Sequence, residues 1–192
     1  MYNAFQPGVL ALSGWDLVGA LPLPSAAVES LMADGDTRWI QRGGYDLVNV
    51  NPDTPTSQAG LPKAPTLYGP IDEQLKRPDS FASQLQRLLA VRQSYGIYAS
   101  QQTLIPDVIS PGLLVMVHEL PDARGTQVTA LNFGPTPIEE TIILPNVQPG
   151  LVVDMINETI EGDLSENGEL IIRLEGYEGL SLRIAGRLPT LG

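Results

Sequence analysis

From residue 100 onward, turn residues interrupt the chain about every ten positions, and the apolar runs between them are short. Those runs fall at 113–119, 127–133, 140–144, 151–154, 169–174 and 180–184. Pro111-Gly112, Gly134-Pro135, Pro149-Gly150, Asn167-Gly168 and Glu178-Gly179 punctuate them. Many short strands with frequent turns predict an antiparallel β-sandwich. Asn167-Gly168, between Leu164 and Leu170, predicts a hairpin.

The first half reads differently. Gly8-Val-Leu-Ala-Leu12 is a continuous apolar run between Pro7-Gly8 and Ser13-Gly14, the pattern of a strand covered on both faces in a parallel sheet. Such a strand needs parallel partners, and no second run of this kind lies nearby. A short helix is expected over 26–32 with Ser25 as its N-cap. Residues 51–65 (NPDTPTSQAGLPKAP) have no period and predict a long loop, of the kind found at active sites or in disordered pieces. After Pro78, Phe81, Leu85, Leu88, Leu89 and Tyr95 form one apolar stripe. They predict a helix capped by Asp79 or Ser80 and ended by Gly96.

Composition narrows the function. The 192 residues hold no cysteine, which removes disulfides, thiolate metal sites and a cysteine nucleophile. A formal net charge of −11 with scattered arginines argues against nucleic acid as a partner and leaves neutral sugars open. No run reaches the roughly 18 apolar residues of a membrane span, and the apolar start lacks the basic segment of a signal peptide. The expectation is a cytoplasmic protein without a membrane partner. No cofactor and no metal are expected. His118 is the only histidine, and Asp154 lacks the oxygen cluster that calcium requires.

Three stretches together resemble the trehalose synthases, also called maltose α-D-glucosyltransferases, of the α-amylase superfamily (glycoside hydrolase family 13). They are PGVLALSGWDLVGALPLP (7–24) with ADGDTRWIQRGGYDL (33–47), then LYGPIDEQLKRPDSFASQLQRLLAVRQSYGI (67–97), and finally VTALNFGPTPIEETIILP (128–145), VVDMIN (152–157) and EGYEGLSLRI (175–184). The resemblance covers nearly the whole chain, in the order of that enzyme's carboxyl end. It implies a mixed α and β fold: residues 1–98 as the last strand, loops and helix of a (β/α)8 barrel, and residues 99–192 as the appended antiparallel β-sandwich. It also implies a parent reaction of retaining glucosyl transfer on an α-glucosyl disaccharide, maltose or trehalose. The three carboxylates of that chemistry belong to barrel strands that have no counterpart here, so no catalytic residue is expected in this chain. A truncated barrel edge also leaves room for a homo-oligomer.

Four residues are candidates for substrate binding. Trp15 and Asp16 follow the expected barrel strand, where active-site loops emerge. An indole face stacks on a sugar ring, and a carboxylate accepts from sugar hydroxyls. Packing of Trp15 into a core is the competing reading. Arg38 and Arg42 flank Trp39 as a second cluster, for which a loop ion pair is the alternative. Asp34 and Asp36 read as the flanks of a turn at Gly35. Against the fragment stands a second reading, a stand-alone β-sandwich module that binds glycan or a partner through a groove lined by Trp15, Tyr45 or Tyr68.

Overall fold

The computed structural model describes residues 1–186. The chain divides into two compact units, one of residues 1–10 with 87 onward and the other of residues 11–86. The expected boundary lay at residue 98. In the structure residues 1–10 and 87–98 belong with the β-rich part.

In the β-rich unit, β1 (Gln101–Leu104), β2 (Leu113–Glu119), β3 (Thr126–Asn132), β5 (Gly150–Asp154), β6 (Ile160–Asp163) and β8 (Gly179–Gly186) form one antiparallel sheet. Its order is β1-β2-β3-β8-β5-β6. β4 (Ile138–Ile143) and β7 (Glu169–Leu174) form a second, two-stranded sheet. The two sheets share one core: Val115, Val117, Val128, Val152, Leu182 and Ile184 from the first meet Ile142, Leu170, Ile172 and Leu174 from the second. β7 shows why its sequence folds this way. Leu170, Ile172 and Leu174 point inward while Glu169, Ile171 and Arg173 face out, the alternation of a sheet wetted on one side.

β2 and β3 do not alternate, because both of their faces are covered. The outward positions of β3 and β8 carry a polar layer instead. Gln127 Nε2 donates to Thr129 Oγ1 at 2.9 Å and to Ser181 Oγ at 3.3 Å, all three residues fully buried. A second cluster of Phe5, Ile97, Leu120 and Met155, with Leu88, Val91 and Tyr95 against it, belongs to this same unit. Arg92, itself buried, donates to the carbonyls of Ala4 and Gln6 and anchors residues 1–10 there.

The sandwich and its mixed composition were legible in the sequence, with corrections in detail. β1 and β6 were missed; β6 is exposed throughout and β1 nearly so, so neither shows an apolar period. Asn167-Gly168 does form a turn, with the Gly168 N–H donating to the Ser165 carbonyl at 3.0 Å. The strands it joins, β6 and β7, lie in different sheets, so it is not a hairpin. Gly168 has φ +75°, and a Cβ there would sit 2.7 Å from the Leu144 carbonyl oxygen, so glycine is required.

The run 8–12 forms no strand. Val9 is 99% exposed and Leu12 46%, and the backbone bond of Gly8 N–H to the Tyr98 carbonyl (2.8 Å) stands outside any ladder. The physical reason is the one its sequence carries: a strand of the parallel type is stable only between neighbours, and none is present among the described residues.

Residues 11–86 hold α1 (Gly14–Val18), α2 (Ile71–Gln74) and the first turn of α3 (Phe81–Tyr95), which continues into the β-rich unit. Ser80 caps α3 by accepting from Ser83 N–H at 3.2 Å, and Gly96 at φ 66° ends it, as expected. The expected helix over 26–32 is instead two single 3-10 turns, Ser25–Ala27 and Glu29–Leu31, and the Ser25 side chain caps neither. Val28 between them is fully buried, and its φ of −132° lies outside the helical range, so the two turns do not join. The small core of this unit is Val18, Ala20, Leu23, Val28 and Ala64. Gln74, fully buried, ties it together: its Nε2 donates to the carbonyls of Leu17 and Gly69, both at 2.8 Å, and its Oε1 accepts from Ala82 N–H.

Candidate functional site

The candidate residues all lie in the 11–86 unit, on two separate clusters. Trp15 and Asp16 sit in α1. Ser13 caps that short helix by accepting from Trp15 N–H, and Gly19 in the left-handed region stops it. Asp16 is exposed to solvent. Trp15 is half-buried, packs against the small core, and meets the ring of Tyr45 edge to face at 6.1 Å and 88°. The core-packing role is therefore present, and one face relationship with Tyr45 is added to it.

Arg38 and Arg42 converge on Asp36. Arg38 Nε and Nη2 donate to the two Asp36 oxygens at 2.7 and 2.9 Å, a bidentate pair, while Arg42 Nη2 stands 3.8 Å away. These bonds, led by the Arg38 side chain, lower the Asp36 carboxyl to about 2. The Arg42 guanidinium also lies 4.5 Å over the Trp39 ring. The loop ion pair is thus formed. Asp36 additionally caps the 3-10 turn Thr37–Gln41 by accepting from Arg38 N–H. Asp34 accepts from Asp36 N–H, which is the turn role expected of it. No hydrogen bond, ion pair or ring contact joins the two clusters among the described residues, although Trp15 and Trp39 both lean on the same core.

The residues that sequence reasoning left out are those of the long loop. Residues 51–65 form a loop with hydrogen bonds at both ends. Asp46 accepts from the backbone N–H groups of Val48, Val50 and Asn51, the last at 2.7 Å, and these bonds, Asn51 first, hold its carboxyl below the usual range. Lys63 Nζ donates to the Pro52 carbonyl at 2.8 Å, and Ser57 and Leu61 close a tight turn. Between these walls lies a cleft of about 630 Å³ running from Gly44 to Lys63, with Tyr45 at one side. The signal that pointed here was the aperiodic, proline-rich stretch 51–65 near Tyr45, read as a loop of the kind found at active sites or in disordered pieces.

In the β-rich unit His118 is fully buried on β2 with neither ring nitrogen hydrogen-bonded, and burial lowers its pKa. Among the described residues no group of three or more His, Asp or Glu side chains is placed to hold a metal ion. No described helix is long and apolar enough to cross a membrane.

No protein-family profile matches the chain, and comparison with curated sequences finds no significant relative. Comparison of folds does find neighbours, and they include enzymes of the α-amylase class: an α-amylase from Anoxybacillus (14% identity, 58% of this chain, 24% of that one, TM-score 0.46). AmyP in complex with maltose overlaps similarly (16% identity, 57% and 20%, TM-score 0.44). The extensive match is to MutB, solved as its D200A mutant with glucose: TM-score 0.66 and 12% identity over 95% of this chain. At that identity the likeness is one of fold. A match of that extent takes in the loop-rich residues as well as the β-rich ones. The chain spans 37% of the MutB chain and 20% of the AmyP chain.

Proposed function

We propose that this chain is the carboxyl-terminal part of a trehalose-synthase-like enzyme of the α-amylase superfamily, which isomerises maltose to trehalose by retaining intramolecular glucosyl transfer. The observation that carries this is the fold shared with MutB over 95% of this chain and about a third of that one, in company with the sequence resemblance. Exposed apolar side chains support it. Val48, Val50, Leu67 and Leu75 stand 47–70% open on the 11–86 unit, as they would where further barrel elements belong. In this reading the nucleophile, acid and stabilising carboxylate come from elsewhere. The chain's own part is structural, with Trp15 and Asp16 of α1 and Arg38 and Arg42 beside Asp36 as its contacts to the sugar. The protein would work in the cytoplasm, without nucleic acid or membrane.

Incubation with maltose tests it. The 192 residues alone yield no trehalose, and a polypeptide joining them to a superfamily barrel that carries the missing strands does. Trehalose formed by the 192 residues alone would overturn the proposal.

A second reading, a binding module without chemistry of its own, draws on the compactness of residues 11–86 and on the cleft beside Tyr45. Saturable glycan binding without any gain of isomerase activity in the joined polypeptide would favour it.

A further inference from the structure

We infer that the cleft between Tyr45 and Lys63 is a binding site for an uncharged saccharide of two or three rings. The ligand class rests on the carbohydrate reading above; the site rests on the cleft itself. About 630 Å³ falls within the range that holds a ligand of that size. Its chemistry is that of hydroxyl recognition. Tyr45 is 39% exposed, and it is held in place by the edge-to-face contact with Trp15 and by packing of its hydroxyl end over Gly14. The exposed part of such a ring offers apolar surface on which a pyranose can stack.

The walls supply the hydrogen bonds. The side chains of Asn51, Thr54 and Gln58 line the cleft and have no partner within the described protein, so their donors and acceptors remain available to a ligand. Asp46 and Lys63 shape the loop through bonds to its own backbone. Together they bring one negative and one positive charge to the lining, and no other charged residue lies there. A balanced lining gives an anionic or cationic ligand no net attraction, whereas a neutral polyol uses both kinds of group. Ordering of the walls before binding spares the ligand that entropic cost.

Maltotriose titrated into the full chain tests this, read by amide NMR and by tryptophan emission, since Trp15 abuts Tyr45. The expected result is saturable shifts confined to residues 44–63, with the Asn51→Ala/Gln58→Ala pair weakening binding about tenfold and leaving the far-UV spectrum unchanged. Tyr45→Leu abolishes it. No saturable change with maltotriose, maltose or trehalose overturns the site, as does binding that the paired substitution leaves intact. Isomerase activity of the joined polypeptide is a separate readout, so loss of one does not imply loss of the other.

Discussion

Arg92 donates to the Ala4 carbonyl at 2.8 Å although the two residues lie 88 positions apart. The same guanidinium serves Gln6 and Gly8, so three backbone acceptors of residues 1–10 depend on one buried side chain. Arg92→Ala leaves them without their donor, and bonds to charged groups are the stronger kind. A loss of about 2–4 kcal/mol of unfolding free energy is expected. Urea titration of the wild type and the variant measures it, and Arg92→Lys, with one donor head instead of a fork, falls between them.

His118 makes stability fall on acidification. Its pKa in the folded chain is lowered by burial from an ordinary 6.5, so the unfolded chain binds the proton more readily. The neutral form's contribution is complete above pH 6.5 and drains away as pH falls from there toward the folded value. His118→Leu removes the titration from a site whose cross-strand neighbours are Gln102 and Gln127. Its urea midpoint is expected to change less between pH 7 and pH 5 than that of the wild type.

Asp36 acts at the opposite end of the scale. Its folded pKa of about 2 lies below the ordinary 3.8, so the bond to Arg38 is intact above 3.8 and is lost as pH falls through about 2. Carboxyl-carbon NMR of Asp36 follows this directly. Arg38→Ala is expected to move the midpoint up toward 3.8, and Arg42→Ala, whose contact is 3.8 Å, to move it less.

Gly168→Ala places a methyl group against the Leu144 carbonyl in a left-handed backbone. The expected cost is about 1–3 kcal/mol. Loss should appear as faster amide exchange in β4 and β7, whose ends meet through the Leu144 N–H to Gly168 carbonyl bond of 2.8 Å.

Much of the sandwich could be read in advance because the signal there is local. Leu113–Glu119 and Glu169–Leu174 carry their own period or apolar run, and the strands occupy those residues. α3 was equally readable from its stripe and its two ends. What failed depended on partners far away in sequence. The apolar run at 8–12 is a strand only in company. Gln74 looks like an ordinary exposed polar residue of a short helix until Leu17 and Ala82 are brought to it. A loop ion pair at Arg38 and Arg42 was foreseen as one alternative, but not its partner Asp36, which read only as the flank of a turn. A groove at Tyr45 was foreseen only in the binding-module reading, and its other walls were not, since they form only when Lys63 reaches back to Pro52.

The β-rich unit is split by the chain, which leaves it at Leu10 and returns at Arg87. Translation therefore delivers Phe5 long before Arg92, Leu120 and Met155, the neighbours that enclose it. On the ribosome residues 1–10 lack those neighbours until residue 155 has emerged. Until then Phe5 is a large apolar side chain without its core, the kind of group that a chaperone masks.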